Sequence, residues 1–231
     1  MAREGAEATG ETRAAWRLDV ALARPWLEVR LPGPLRCLSW APAGGGVVTA
    51  ARVLWREVRD ADLTEDLDAA AWLRKELAAR CAAGAVGLLT SRNVARYRLA
   101  EAEADGVRAA CCATVGLTNA ERVGRRRAAA AGAWGTINLV CATDAALTQA
   151  AQIEALSVAV QARTTAVTEA GHVVETGVAT GTGTDCIVLA CPPGATPYAG
   201  THTAVGEAVG RAVWESVRAG VAEWIATGGA E

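Results

Sequence analysis

The 231-residue chain has few of the side chains on which several functional classes depend. It contains two histidines, and none of its seven cysteines forms a Cys-x-x-Cys pair, so a structural zinc site lacks ligands. Its 23 Lys and Arg residues balance 25 Asp and Glu residues, which gives no basic field for nucleic-acid phosphates or anionic lipids. The longest uncharged stretch, 186–206, is broken by three prolines, whereas a membrane helix has to be continuous. We therefore expect no metal, no nucleic acid and no membrane among the partners.

Apolar residues are abundant, at 52% of the chain against 21% charged residues, and this balance predicts a folded core. The cysteines lie mostly inside apolar runs, as at Cys111-Cys112, and are interpreted as small core residues. Residues 1–13 are acidic and small, with no apolar segment of the kind that a secretory signal needs. We predict a disordered tail over 1–13, one domain over 14–227 and a cytoplasmic location, with a homo-oligomer left open.

Alternating apolar and polar residues between 16 and 40 predict a three-stranded antiparallel meander. Its turns are expected at Arg24-Pro25 and at Pro32-Gly33-Pro34. Residues 47–58 fit either a strand or a short helix. Further strands are predicted from runs of β-branched and small apolar residues at 86–90, 107–115, 136–142 and 186–190.

Three helices are predicted from their caps and apolar spacing. The first begins at Thr64 and stops at Gly84, with Leu67, Ala71, Leu77 and Cys81 on one side. The second runs over 148–170 and ends at Gly171, and the third runs over 203–225 with a stripe of valines. The fold class expected is α/β or α+β, a mixed β-sheet covered by long amphipathic helices, in one domain with an N-terminal antiparallel meander.

Four polar segments interrupt this apolar plan at the ends of predicted elements: 116–119, 135–138, 180–185 and 200–203. Loops at such places commonly present binding and catalytic groups. Their glycines permit close approach of a ligand, and Thr and Asn supply neutral donors and acceptors. The set suits a neutral ligand rich in amides, although 180–185 is equally explained as a turn that Asp185 caps.

Two residues near the third helix have both a functional and an ordinary interpretation. His202 precedes the helix, where the positive end of the helix dipole keeps the imidazole neutral and able to accept a proton. It could equally be a surface histidine. Glu207 could face the same cleft, or it could form an ordinary helical ion pair with Arg211. Asn119 and Asn138 are also strong turn formers.

In order and spacing, the four segments resemble the adenosylcobinamide amidohydrolase family, from Gly116-Leu117-Thr118-Asn119 through Gly135-Thr136-Ile137-Asn138 and Thr180–Asp185 to His202–Gly210. The resemblance implies an enzyme of corrinoid salvage. Such an enzyme hydrolyses the amide that joins aminopropanol to a corrin side chain and yields adenosylcobyric acid. It needs no cofactor of its own, because cobalt and the adenosyl group belong to the substrate. A non-catalytic corrinoid-binding protein and an amidase or acyl transferase for another amide remain alternatives.

Amide hydrolysis needs a nucleophile, donors for the oxyanion and an acid for the leaving amine. We hypothesise that Asp185 or His202 activates water while Glu207 orients His202; the rival route uses a threonine hydroxyl as nucleophile. Thr182, Thr184 or loop amides would hold the oxyanion. Replacing Asp185 by Asn, or His202 by Ala, is expected to abolish aminopropanol release. The candidate catalytic residues are Asp185, His202, Glu207 and Thr184, and the candidate substrate-binding residues are Asn119, Asn138, Thr180, Thr182 and Gly183.

Overall fold

Eight strands hydrogen-bond into one mixed sheet in the computed structural model, which describes residues 16–59, 62, 67–125 and 135–229. Within these residues the strands are, in order, β1 (Asp19–Ala23), β2 (Trp26–Ser39), β3 (Gly46–Glu57), β4 (Val86–Thr90), β5 (Arg98–Ala104), β6 (Val107–Val115), β7 (Ala120–Glu121), β8 (Ile137–Thr143), β9 (Val173–Val174), β10 (Gly177–Val178), β11 (Gly181–Thr182) and β12 (Cys186–Cys191). The helices are α1 (Ala69–Ala79), α2 (Gln149–Glu169) and α3 (Ala204–Ala226).

The sheet has the order β4-β3-β2-β12-β8-β6-β5, with β1 paired to β2 beside this path. The pairs β8–β12 and β3–β4 are parallel, and the other pairs are antiparallel. Every residue of β8 and β12 is buried, as expected for central strands covered on both faces. The short strands form two ribbons of their own, β9 with β10 and β7 with β11.

Helices α2 and α3 pack on one face of the sheet. Thr148 and Thr203 cap their first turns by accepting hydrogen bonds from Ala151 N and Gly206 N. The valine stripe of α3 is buried as predicted, and Gly171 follows α2 with a φ of 66°. Helix α1 packs against the β3–β4 end of the sheet through Leu73, Leu77 and Leu54. A second core, of strand residues that include Trp55, Cys112 and Val140, fills the opposite face.

The prediction of a three-stranded meander between 16 and 40 is wrong in its second turn. Strand β2 continues through Pro32-Gly33-Pro34, and the β2–β3 register shifts between Arg30 and Leu35. A proline that lacks its N–H is accommodated there because the ladder is already interrupted by the irregularity. The third strand of the meander is therefore β3, which settles 47–58 as a strand.

Other predictions need correction at the level of the elements. Helix α1 begins at Ala69, with Asp68 as its cap, and ends at Ala79 rather than at Gly84. Of its predicted stripe only Leu77 is buried, while Ala71 and Cys81 are exposed. The predicted cap at Thr64, with Glu65 and Asp66, and the tail over 1–13 lie outside the described residues. Strand β5 was not predicted, since its alternation of Glu with Ala carries little β-propensity.

Candidate active site

A cleft of about 240 Å³ opens where the end of β4 meets the starts of β8 and β12. Three of the four polar segments lie beside it. Its described lining residues combine apolar side chains with hydroxyl and amide groups: Pro42, Val58, Arg59, Leu89, Thr90, Ser91, Gly135, Thr136, Asn138, Thr184 and Cys186.

One wall of the cleft joins two segments that are far apart in the sequence. The hydroxyl of Thr136 donates to the carbonyl oxygen of Thr184 at 2.9 Å, and the hydroxyl of Thr184 donates to the carbonyl oxygen of Gly135 at 2.9 Å. Asn119 adds the third segment, because its Nδ2 donates to Thr184 Oγ1 at 3.2 Å. The structure therefore brings together three of the four polar segments, 116–119, 135–138 and 180–185.

Asn138 forms the floor of the cleft and is only 1% exposed. Its Nδ2 donates to the carbonyl oxygen of Leu89 at 2.7 Å, and its Oδ1 lies 3.1 Å from Thr136 Oγ1, which has one proton to share between this oxygen and the carbonyl oxygen of Thr184. In the parallel β8–β12 ladder it is paired with Cys186. Asn138 is thus not a turn residue: it connects the end of β4 to the start of β8.

Asp185 lies beneath the same wall, with a side chain that is 6% exposed. Its Oδ2 accepts from Arg163 Nη1 at 2.6 Å and from Thr182 N at 3.0 Å. Its Oδ1 accepts from Ile137 N at 3.0 Å and from the Thr182 hydroxyl. The carbonyl oxygen of Asp185 also accepts from the Trp40 indole at 2.6 Å. The carboxylate therefore holds the 180–185 loop between α2 and the start of β8.

The loop passes so close over the Arg163 side chain that a Cβ at Gly181 would have to displace it. A Cβ at Gly181 would lie 1.7 Å from Arg163 Nη1 and 2.5 Å from Asp185 Oδ2. Arg163 Nη1 also donates to the carbonyl oxygen of Thr180 at 3.0 Å. We call this group of Arg163, Asp185 and Thr182 the loop clamp.

Sequence reasoning missed Arg163, although the sequence contains a signal for it. Arg163 lies four residues from Ala159 and from Val167, which are both fully buried on α2. A basic residue within an apolar helical stripe requires a buried partner. Asp185 is that partner. Because it lies 22 residues away in the sequence, local spacing does not predict the pair.

A second cleft, of about 310 Å³, lies on the helix side of the same loop. Thr180, Gly181 and Thr182 line it together with Arg163 of α2 and Arg122. Thr184 lines the first cleft, so the 180–185 loop separates the two. Gly183, the remaining predicted residue of the loop, donates its N–H to the carbonyl oxygen of Asn119.

The structure does not bring His202 and Glu207, two of the four candidate catalytic residues, to the cleft beside Asp185 and Thr184. His202 is exposed at the start of α3, where Ala199 N donates to Glu154 of α2. Arg163 lies nine residues further along α2, about 14 Å at 1.5 Å per residue. Glu207 pairs with Arg211 at 3.5 Å, so the ordinary helical ion pair is the one present. Neither of the two clefts described above is lined by His202 or Glu207.

The thiol of Cys186 is part of the cleft but poorly suited to nucleophilic attack. Burial, reinforced by the negative charge of Asp185, raises its pKa to about 12. A thiol with this pKa is protonated at neutral pH, and only the thiolate is a strong nucleophile.

Across the described residues, no group of three or more His, Cys, Asp and Glu side chains is placed to hold a metal ion. In the same part of the chain, no helix is long and apolar enough to span a bilayer.

The comparison with known proteins agrees with the resemblance carried by the polar segments. The family model described as adenosylcobinamide amidohydrolase (CbiZ) matches residues 12–229, which is nearly the whole chain. A search of curated proteins found no match. The matched region contains every residue of both clefts and of the loop clamp. The chain therefore belongs to the adenosylcobinamide amidohydrolase family, the amidohydrolases that act on adenosylcobinamide in corrinoid salvage.

Proposed function

We propose that this chain hydrolyses the amide between aminopropanol and the corrin side chain of adenosylcobinamide in the cleft between β4, β8 and β12. The observation that carries the proposal is the wall of the cleft, in which the hydroxyls of Thr136 and Thr184 each donate a hydrogen bond to a carbonyl oxygen of the other's segment. Two of the family-like segments meet there around a cavity, and a third supports them through Asn119.

The volume of the cleft indicates which part of the substrate enters it. At about 240 Å³ it lies below the range of roughly 300–1,000 Å³ that is usual for pockets enclosing a drug-sized ligand. A corrin macrocycle is larger than such a ligand. We propose that one amide arm enters the cleft and that the ring rests on its rim.

The reaction adds water to the carbonyl carbon of the arm, and the carbon–nitrogen bond then breaks. The electron pair leaves with nitrogen, which takes one proton and departs as the amine of aminopropanol; a second proton, equivalent to the one that the acid gives up, converts this amine to its ammonium form. The acid that remains loses a proton and becomes a carboxylate. Thr184 and Asn138 line the cleft and are the residues we propose to contact the arm.

Asp185 acts in this proposal as a positioning residue rather than as the base. Four donors already occupy its two oxygens, so accepting a proton from water would break the loop clamp. Through Thr182 and Ile137 N it holds the segments that carry Thr184 and Asn138.

Water is favoured over a threonine hydroxyl as nucleophile. The hydroxyls of Thr136 and Thr184 donate to carbonyl oxygens, which are too weakly basic to remove their protons. Attack by either oxygen would also break the hydrogen bond by which it joins the two segments of the wall.

The test is incubation with adenosylcobinamide, with chromatographic detection of adenosylcobyric acid and aminopropanol. Thr184→Val keeps the shape of the side chain but removes the hydroxyl that bonds Gly135, and we expect kcat/KM to fall at least about tenfold, or ~1.4 kcal/mol. Thr165→Val is the matched control, because Thr165 is exposed on α2 away from the cleft. Equal losses in both variants would contradict the assignment of the cleft.

The same assay separates the alternatives. Tight binding of adenosylcobinamide without release of aminopropanol would identify a corrinoid-binding protein. The observation that favours this alternative is that the described lining residues include no general base. Faster turnover of small amides than of adenosylcobinamide would identify a different amidase.

A further inference from the structure

Arg59 is the one group with a formal charge among the described residues that line the cleft. Its backbone is held in place on both sides. Val58 N donates to the carbonyl oxygen of Thr90 at 2.8 Å, and Arg59 N donates to Asp62 Oδ2 at 2.8 Å. Thr90 is itself a lining residue, so these contacts fix the base of the Arg59 side chain against one wall.

The guanidinium of Arg59 has no hydrogen bond or ion pair to any residue of the described part of the chain. The carboxylate of Glu57, two residues earlier, feels the charge of Arg59, but its hydrogen bonds come from Arg24 and, at 3.1 Å, from Val94 N. A guanidinium carries five N–H donors, so Arg59 brings a cation with free donors to the cleft.

Three neutral side chains of the cleft already donate to protein acceptors. Thr136 and Thr184 donate to carbonyl oxygens, and Asn138 Nδ2 donates to the carbonyl oxygen of Leu89. A new negative charge that drew on one of these three donors would weaken a bond within the protein, whereas Arg59 can donate without that loss.

Hydrolysis of a neutral amide creates such a charge twice. It appears on the carbonyl oxygen when water adds, and it remains on the carboxylate of the product. Resting on the proposed function, we propose that the Arg59 guanidinium stabilises this oxyanion and afterwards binds the product carboxylate. A hydrogen bond from a charged donor becomes stronger when water is displaced from around it. The corrin ring on the rim of the cleft would displace this water.

The first test compares Arg59→Gln, Arg59→Lys and the matched control Arg74→Gln, which removes an exposed arginine of α1. Loss of one oxyanion donor costs about 10²–10³ in kcat in other acyl-transfer enzymes. We expect Arg59→Gln to lower kcat at least about 10²-fold with little change in KM, and Arg59→Lys to recover most of that loss. Wild-type kcat in Arg59→Gln would overturn the proposal.

The second test measures binding and needs no turnover. The probes are adenosylcobyric acid and the analogue whose carboxylate is replaced by a carboxamide. The wild-type chain should bind the acid at least about tenfold more tightly at low salt, as expected of a charged hydrogen bond, and Arg59→Gln should lose this preference. Equal affinity of the wild-type chain for both probes, or retention of the preference by Arg59→Gln, would overturn the proposal. Absence of turnover in the wild-type chain would instead count against the proposed function alone.

Discussion

The carboxylate of Asp185 lies between the α2 helix and the start of β8, with protein donors around both oxygens. Asparagine would present an NH2 group to one of these donors and would leave the Arg163 guanidinium, 12% exposed, without its counter-charge. Breaking a buried ion pair from one side costs about 3–5 kcal/mol. His202, by contrast, is exposed at the other end of α2 and α3.

We therefore expect opposite results from two substitutions that the sequence alone treats alike. Asp185→Asn should lower the free energy of unfolding by about 3 kcal/mol and reduce aminopropanol release. His202→Ala should keep both near wild type. Denaturant melts and the chromatographic assay measure the two effects, and loss of turnover in His202→Ala with an unchanged melt would return that histidine to the active site.

This contrast shows what could be predicted at the residue scale. The polar segments were found from their composition, and three of them do meet. The roles within them depend on partners that local spacing does not reveal. The role of the Asp185 side chain follows from its ion pair with Arg163, which lies 22 residues earlier on another element. Whether Asn138 is a turn residue or a floor residue depends on Leu89 O, 49 residues away.

Between the elements, the 180–185 loop depends on one glycine where α2 passes beneath it. Gly181 leaves no room for a Cβ beside Arg163, whereas a Cβ on Gly183 would meet only Glu121 Cγ at 3.9 Å. Both glycines belong to the same Thr-Gly-Thr-Gly-Thr sequence. Comparing an alanine substitution at each one therefore separates the effect of a steric clash from the effect of reduced backbone flexibility.

Gly181→Ala should separate Arg163 from Asp185, lower the free energy of unfolding by about 2–3 kcal/mol and reduce turnover. Gly183→Ala should leave stability within about 1 kcal/mol of wild type. Thermal melts of both variants, with the turnover assay, check this. Equal tolerance of the two substitutions would mean that the loop moves away without cost.

Helices α2 and α3 were predicted closely, because caps and a repeating apolar spacing are local signals. The burial pattern of α2 was harder to predict. Ile153 belongs to the apolar spacing of α2 but is 57% exposed. Gln152 is buried and donates hydrogen bonds to the carbonyl oxygens of Arg36 and Leu189. The prediction of a turn at Pro32-Gly33-Pro34 divided β2 into two strands. It was wrong because proline and glycine are typical both of a turn between two strands and of an irregularity inside one long strand.

In the molecule as a whole, Glu57 connects three distant parts of the chain. It accepts from Arg24 at the β1–β2 turn, where the Arg24–Pro25 bond is cis, and from Val94 N after β4. Burial raises the pKa of Glu57, but the hydrogen bonds from Arg24 and Val94 N and the charges of Arg24 and Arg59 outweigh burial, so its pKa is lowered.

A lowered carboxyl pKa stabilises the folded chain above its ordinary value of 4.5, and this stabilisation disappears as the pH falls through the lowered pKa. Glu57→Gln should therefore lower the free energy of unfolding by about 1 kcal/mol at pH 7, since Arg24 is half exposed, and by nothing at about pH 2. Glu101→Gln, on the exposed side of β5, is the control. A difference between wild type and Glu57→Gln that does not change with pH would contradict this.

The parallel pairing of Asn138 with Cys186 places the cleft at the amino ends of β8 and β12. Ligands in open α/β sheets usually bind beyond the carboxyl ends of the strands, and His202 lies toward that end of β12. A survey guided by this rule would examine the pole opposite this cleft. Chemical probes for this chain should be directed instead to the pole where β8 and β12 begin.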